Sequence, residues 1–364
     1  MLRCHLPTLY GSGMDEPSTR TPPASATSAT IGAFPALLVT RADNPEDPGR
    51  VELATLTMDD LPAGEVVVKV AWSSVNYKDG MVTTAGNRVA RISPLVPGVD
   101  LVGTVVATTS PDVACGAEVI VHAHDLGVAH HGGFAHYARV PADWVVPLPA
   151  GLSARDAAAL GTAGFTAALS LRELEQSGLT PDAGEVLVTG ASGGLGGMAV
   201  ALLAHRGYEV TASTGRMEEE SYLRALGARR VIHRDEVIDT GPRTLGPERW
   251  AGAIDCVGGS TLAAILRTLH YGAAVAASGL TGGSTFETTV YPFIVRAVRL
   301  IGIDAVETPA ALRADVWNEL GASFPTATLG LLTADEVELD ALPGTLQAIL
   351  AGQIRGRTMV RLQP

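Results

Sequence analysis

The chain has 364 residues, enough for two or three domains of ordinary size. With 46% hydrophobic and 18% charged residues, it has the composition of a folded α/β protein, not of a disordered one. A formal net charge of −12 counts against a nucleic-acid partner, yet leaves room for a local basic pocket that takes a phosphate-bearing ligand.

Residues 1–31 read as an extension. MLRCHLPTLYGSGMDEP lacks the apolar core of a signal peptide. The Ser-, Thr-, Pro- and Ala-rich DEPSTRTPPASATSAT that ends it has the composition of a disordered segment. A transit peptide is the alternative, against which Asp15 and Glu16 count, and Met14 offers a second start. No apolar run reaches the ~18 residues of a membrane span. Cys4, Cys115 and Cys256 lie far apart with no CxxC pair, so neither a zinc finger nor a redox pair is indicated. The expected location is the cytoplasm, with no membrane and no nucleic acid as partner.

From about residue 34, short β-rich runs separated by Pro, Gly and Asp predict a compact β-rich domain: PALLVT, GEVVVKVAWSSV, LVGTVVAT, AEVIVHAH and HYARVP. Beyond Ser153 the pattern changes. SARDAAALGTAGFTAALSLREL has helical spacing. Strands and helices then alternate: EVLVTG, GMAVALLAHRG, YEVTAS, EEESYLRALGA, RVIHRDE, AGAIDCVGG, STLAAILRTLH and AAVAASG. Such alternation means a parallel sheet with crossover helices. After residue 305 come two helix-like stretches, AALRADVWNEL and PGTLQAILAG, and a last strand, RTMVRL. This end segment is expected to return to the first domain. The fold class is therefore α/β, with a β-rich domain formed by 32–155 and 305–364 around an inserted nucleotide-binding domain, 156–304.

VTGASGGLGG places Gly190, Ser192, Gly193, Gly194, Leu195 and Gly196 between a strand and a helix. A helix N-terminus there offers free backbone N–H groups to a pyrophosphate, provided side chains stay out of the way. The bland alternative is a tight turn with close helix–sheet packing. An NAD site has Asp or Glu at the end of its second strand. Here that place holds Ser213, Thr214, Gly215 and Arg216. Hydroxyls and a guanidinium suit a 2′-phosphate, which predicts NADPH; an ordinary surface arginine is the other reading.

SSVNYKDG closes the strand VVVKVAW with Asn76, Tyr77, Lys78 and Asp79. A phenol, with an ordinary pKa of about 10, is protonated near neutrality and can donate, so Tyr77 is a candidate acid. Lys78 and Asp79 are candidates for holding it; a turn cluster in which Asn76 and Asp79 cap backbone groups is the alternative. In GTAGFTA, Thr162 is a candidate neighbour of the nicotinamide, or else part of a close-packed helix. His122, His124, His130, His131 and His136 have no Cys or carboxylate at ligand spacing beside them, so no metal is expected.

Taken in order, SSVNYKDG, VPGVDLVGTV, HHGGFAHYARVPADWVVPLP, GTAGFTAAL, VTGASGGLGG, STGR, AIDCVGG, YPFIVRAVRLIGID and GRTMVRL resemble the acrylyl-CoA reductase branch of the medium-chain dehydrogenase/reductases. The resemblance covers roughly residues 34–362. It implies a GroES-like catalytic domain with an inserted Rossmann domain, NADPH, no zinc and a homodimer. It places Tyr77 by the nicotinamide, brings Arg234 towards the adenosine phosphate, and sets Ser278 and Ile303 along the cofactor. His131 stands where related sequences tend to have an aromatic residue, which leaves the acyl group open.

The implied reaction is reduction of a short α,β-unsaturated acyl-CoA, acrylyl-CoA to propionyl-CoA. Arg88 and Arg91 are candidates for the CoA phosphates, or members of a solvated loop. A quinone or enone reductase on the same fold is the alternative, and a non-catalytic NADPH-binding redox sensor is a second.

Overall fold

The structure, a computed structural model, describes residues 31–44, 46–239, 241 and 243–363. The extension expected over residues 1–31 falls, but for Ile31, outside them.

The chain opens with β1 (Phe34–Thr40) and β2 (Arg50–Leu56), an antiparallel ladder of two strands. Then come β3 (Val66–Ser74), α1 (Tyr77–Met81), β4 (Asp100–Thr108), β5 (Glu118–His122), β6 (Tyr137–Val140) and β7 (Val145–Pro147). The long α2 (Ala154–Gln176) leads into strict alternation: β8 (Glu185–Val188), α3 (Gly194–His205), β9 (Glu209–Thr214), α4 (Glu220–Ala225), β10 (Arg230–His233) and α5 (Asp235–Ile238). β11 (Trp250–Asp255), α6 (Gly259–Thr268), β12 (Leu269–Ala277), α7 (Tyr291–Arg296) and β13 (Arg299–Gly302) complete it. The end is α8 (Ala310–Ser323), α9 (Thr326–Leu332), β14 (Thr333–Val337), α10 (Leu342–Leu350) and β15 (Arg357–Arg361).

Six strands make one wholly parallel sheet in the order β10-β9-β8-β11-β12-β13. Its middle strands are apolar throughout because helices cover both faces: all six residues of β11 are buried. A second, seven-stranded sheet runs β14-β15-β3-β4-β5-β7, with β6 paired to β3. β15 lies antiparallel to β3, setting Met359 opposite Ser74 and Val360 opposite Ser73. The C-terminal strand thus pairs with β3 and brings its flanking residues to the end of that strand.

α2 joins the two sheets. It starts at Ser153, whose hydroxyl accepts from Asp156 N–H at 3.1 Å, an N-cap that satisfies an otherwise orphaned donor. Its apolar face lies in one core with β8, α3, α8 and α9, while Val102 and Ile120 of the second sheet join the same core. At Gly161 the helix breaks, with φ 47°. A side chain there would put its Cβ 2.5 Å from Asp100 Oδ2 and 2.9 Å from the Arg357 guanidinium. The kink is therefore a place that only glycine fills, and it turns Thr162 towards the joint between the sheets.

Candidate active site

The open α/β sheet directs its ligand site to the carboxyl ends of its strands. β8 ends at Val188, and Gly190 follows with φ 59°. A Cβ at Gly196 would sit 2.3 Å from the Gly190 carbonyl oxygen, so that glycine lets α3 start hard against the turn. The first turn of α3 carries Gly194, Leu195 and Gly196, half-buried or buried, after Gly193 at the cap. This is a cradle from which side chains are excluded and in which helix N–H groups are on offer, and it fits the pyrophosphate of a dinucleotide.

At the end of β9 no carboxylate appears. The Ser192 and Thr214 hydroxyls lie 3.1 Å apart, and Thr214 Oγ1 accepts from Arg216 N–H at 3.0 Å. Arg216 turns inward: its Nη2 donates to Ser192 Oγ at 3.0 Å, the Ser192 carbonyl at 3.3 Å and the Ile354 carbonyl at 3.0 Å. Ser213 is buried, and its carbonyl accepts from Ala191 N–H at 3.1 Å. Arg234 is exposed and packs its guanidinium over Gly215, where a Cβ would meet it at 3.1 Å. The two cations thus flank the strand end where an adenosine ribose lies in this fold. Further along, Ser278 N–H donates to the Asp255 carbonyl and Ile303 N–H to the Ala277 carbonyl, both at 3.0 Å.

Facing this edge is the end of β3. Within the segment 73–80, Ser73 and Ser74 end β3 and a short helix starts at Tyr77 instead of a plain turn. Asn76 stands at its N-cap, where its N–H donates to Asp79 Oδ2 at 2.8 Å. Tyr77 opens the helix, half-buried, and its side chain makes no hydrogen bond among the described residues. Lys78 is exposed. Asp79 is fully buried, and its Oδ1 accepts from Gly98 N–H at 3.1 Å and Val99 N–H at 3.0 Å. It clasps the Tyr77 helix to the segment that leads into β4. Burial pushes its carboxyl up to about 7; Asp100 adds to the rise, and the hydrogen bonds from Asn76, Val99 and Gly98 oppose it.

Asp100, not among the candidates above, gathers several of them by hydrogen bonds. Its Oδ1 accepts from the Thr162 hydroxyl at 2.6 Å and from Thr162 N–H at 2.9 Å. Its Oδ2 accepts from Asn76 Nδ2 at 2.7 Å and Ser74 Oγ at 2.8 Å, with Arg357 Nη2 at 3.4 Å. Arg357 also donates to Ala159 O at 3.0 Å, Val75 O at 3.1 Å, Asn76 Oδ1 at 2.9 Å and Ser74 Oγ at 2.6 Å. Burial lowers the guanidinium's pKa, against which Asp100 and Asp79 hold it charged. Asn76, Tyr77 and Thr162 are thereby brought together around one buried ion pair. The signals were a carboxylate inside the apolar run VPGVDLVGTV and an arginine opening a terminal strand.

Other expected residues take no part in these contacts. Arg88 is exposed, and Arg91, also exposed, pairs with Asp125. Three of the histidines pack on aromatic rings: His124 stacks on Trp144 at 5.0 Å with His130 edge-on to the same ring at 5.1 Å, and His122 lies 4.6 Å from Phe165. His131 Nδ1 accepts from Val96 N–H at 3.2 Å. Among the described residues, no three His, Cys, Asp or Glu side chains are grouped as a metal would require. No helix among them is long and apolar enough to cross a membrane.

A dinucleotide cradle facing a tyrosine-bearing β-sheet domain defines a nucleotide-dependent oxidoreductase. Comparison with known proteins narrows this. Residues 62–150 match the alcohol dehydrogenase GroES-like domain and residues 194–320 the zinc-binding dehydrogenase domain. The chain is 46% identical over 329 residues to an acrylyl-CoA reductase of Ruegeria pomeroyi, covering 90% of this chain and 98% of that one. It is 48% identical over 322 residues to a Bacillus subtilis protein named, provisionally, a quinone oxidoreductase, covering 88% and 98%. The crystal structure of the YhdH oxidoreductase from Salmonella enterica in complex with NADP superposes with a TM-score of 0.86 at 45% identity, covering 90% and 100%. A Bacillus subtilis structure with NAD bound gives 0.87 at 47%, covering 91% and 100%. The chain belongs to the medium-chain dehydrogenase/reductase family, in the branch that holds these acrylyl-CoA reductases and quinone oxidoreductase-like proteins.

Proposed function

We propose that the protein reduces the carbon–carbon double bond of a short α,β-unsaturated acyl-CoA, acrylyl-CoA to propionyl-CoA, with NADPH. The observation that carries the cofactor is the end of β9, which offers Ser213, Thr214, Gly215 and Arg216 with Arg234 beside them and no carboxylate. The observation that carries the chemistry is Tyr77, held at the site by the Asn76–Asp79 clasp. The acyl-CoA assignment leans on the acrylyl-CoA reductase relatives.

NADPH, when bound, supplies a hydride to the β-carbon. Gly190, Ser192, Gly193, Gly194, Leu195 and Gly196 would hold its pyrophosphate, Thr162 would lie near its nicotinamide, and Ser278 and Ile303 would line the cofactor. Negative charge moves to the thioester oxygen, where preorganised donors lower the barrier. The α-carbon then takes a proton, from Tyr77 or from water. Asn76, Lys78 and Asp79 support Tyr77, and Arg88 and Arg91 are offered to the CoA phosphates.

We read residues 32–155 with 305–364 as the catalytic domain, 156–304 as the nucleotide domain, and the enzyme as a cytoplasmic, zinc-independent homodimer. For the dimer the support is an edge left unpaired among the described residues. β13 ends the parallel sheet, and beside it Leu300, Tyr291, Val295 and Ile294 are 39%, 49%, 52% and 72% exposed. A bare strand edge with apolar neighbours favours a second copy.

Loss of the reduced cofactor's absorbance tests the reading, with acrylyl-CoA offered against NADPH and NADH and a simple quinone run in parallel. Rapid NADPH-selective turnover of acrylyl-CoA is the expected result. Turnover of quinone alone moves the substrate to the enone and quinone class. Binding of NADPH with no turnover of any activated alkene moves the protein to a redox sensor.

A further inference from the structure

Arg313, on α8, is 2% exposed, and among the described residues no carboxylate pairs with it. Its guanidinium donates to three backbone carbonyls, those of Ala305 at 3.2 Å, Val306 at 3.0 Å and Thr308 at 3.1 Å. These belong to the turn that follows Ile303, the residue tied to the end of β12 on the cofactor side of the sheet. The turn is itself compact, for Asp304 Oδ1 accepts from Val306 N–H at 2.7 Å and the Asp304 carbonyl from the Thr308 hydroxyl at 2.8 Å.

His122 connects this turn to the seven-stranded sheet. It is the last residue of β5 and the register partner of Asp100, so the two side chains share a face. Its Nε2 accepts from Trp317 Nε1 at 2.8 Å and faces Arg313 Nη1 at 3.3 Å. Phe165, three residues beyond Thr162 on α2, fills the space between, its ring 4.6 Å from that of His122 and 5.5 Å from the Arg313 guanidinium carbon. One lone pair serving two donors requires a neutral imidazole with its proton on Nδ1. The neighbouring pairs therefore do parallel work: Asp100 fixes Thr162, and His122 fixes the turn after Ile303.

We propose that His122 is a positioning residue for hydride transfer: as the shared acceptor of Arg313 and Trp317, it anchors the 303–308 turn to the strand end that carries Asp100. The proposal rests on the reductase reading above. Hydride transfer needs reacting atoms about 3–3.5 Å apart, and a misplacement of about 1 Å costs on the order of 100-fold in rate. A turn held through Arg313 from α8 alone would let the nicotinamide side of the cleft shift against Tyr77.

The test is His122→Phe, which keeps a ring and removes the acceptor, beside His122→Gln, which returns one, and Trp317→Phe, which removes one donor. Turnover of acrylyl-CoA at saturating NADPH is measured with protium and deuterium at the transferred position, together with NADPH affinity and thermal midpoint. The expected result for His122→Phe is a fall in kcat of about 10- to 100-fold, a larger isotope effect and NADPH affinity close to the wild type's. His122→Gln recovers part of the rate, and Trp317→Phe added to His122→Phe costs little more. An unchanged kcat and isotope effect, with only the midpoint lowered, would reduce the cluster to ordinary core and overturn the proposal. If His122→Phe does not fold, Trp317→Phe alone decides on the same readouts. If the wild type binds NADPH yet reduces no alkene, the reductase reading has failed separately. The anchor is then read from the fluorescence polarisation of bound reduced nicotinamide, which the variant must lower; equal polarisation overturns it.

Discussion

Asp100 and Arg357 stand 257 positions apart and meet as a buried ion pair, Oδ2 to Nη2 3.4 Å, each side chain 2% exposed. The pair is fully dressed with hydrogen bonds from Ser74, Asn76 and Thr162. Such a pair need not be a large source of net stability, but breaking it strands a buried charge. Arg357→Met is expected to lower the unfolding free energy by about 3–5 kcal/mol. The double variant Asp100→Asn with Arg357→Met loses less than the sum of the single changes, since no ion is left alone. Urea unfolding of the four proteins checks this; strictly additive losses would show that the two groups do not sense one another.

Asp79 makes stability depend on pH with a definite sign. Its folded pKa, about 7, lies above the ordinary 3.8. Between these values the folded state keeps a proton that the unfolded state has lost. The contribution is therefore fully present below about 4 and is lost as pH rises through about 7. Asp100 and Arg357 are the charged groups facing it. Asp79→Asn removes this slope, so the wild-type-minus-variant difference in urea midpoint should decline from pH 5 to pH 8. A difference that is flat over that range would mean that Asp79 ionises in the fold as it does in water.

His122 has the opposite sign. Burial, then Arg313, then His124, hold its imidazole well below the ordinary 6.5. The unfolded chain takes up a proton first as pH falls, so this contribution is present above about 6.5 and is lost below it. His122→Gln should flatten the acid limb of the stability profile between pH 6.5 and pH 5, as followed by thermal midpoint. An acid limb of wild-type steepness in that variant would assign the limb to other groups.

What could be read in the sequence was what is local. The alternation from EVLVTG to AAVAASG gave the parallel sheet because each strand is a short apolar run and each helix a 3.6-residue pattern. The strand RTMVRL was legible for the same reason, and β15 lies there. β2 was not, because its residues other than Leu56 are half-buried or exposed and, among the described residues, its one partner is β1. β13 and α7 were read as family motif and not as elements: the strand has four residues, and both are largely exposed, which blurs the apolar pattern. The glycine turn, with Arg216 beyond it, was legible because backbone approach and charge are written into residue type. The meetings of Asp100 with Arg357 and of His122 with Arg313 were not. They span 257 and 191 positions; a carboxylate inside an apolar run signals that some partner is needed, but nothing local says which residue supplies it.

Arg216 carries the prediction about cofactor choice. Nη2 alone of its guanidinium nitrogens is engaged among the described residues, with Ser192 and Ile354, so further donors remain for a phosphate. A hydrogen bond to a charged group is worth about 1.5–3 kcal/mol, which is roughly a 10- to 100-fold change. Arg216→Ala should raise the NADPH dissociation constant by about that factor and leave NADH binding nearly unchanged. Arg234→Ala, which removes only the exposed cation over Gly215, should act in the same direction and less. Titrations with both cofactors decide; equal losses for NADPH and NADH would place Arg216 at the pyrophosphate instead of the 2′-phosphate.

Tyr77 carries the prediction about chemistry. It opens α1 immediately after Asn76, which is pinned by both Asp100 and Arg357, so its backbone is fixed while its hydroxyl is committed to no protein acceptor among the described residues. Tyr77→Phe keeps the ring and removes only that hydroxyl. A proton donor acting in the transition state contributes about 100- to 10,000-fold. If Tyr77 supplies the α-proton, the variant should lose turnover on that scale while its NADPH affinity stays close to the wild type's. The solvent isotope effect separates the two sources. A variant that keeps wild-type kcat in both light and heavy water would assign the proton to water and leave Tyr77 as a wall of the nicotinamide pocket. A variant that loses kcat and gains a larger solvent isotope effect would show that proton delivery has become the slow step once the phenol is gone.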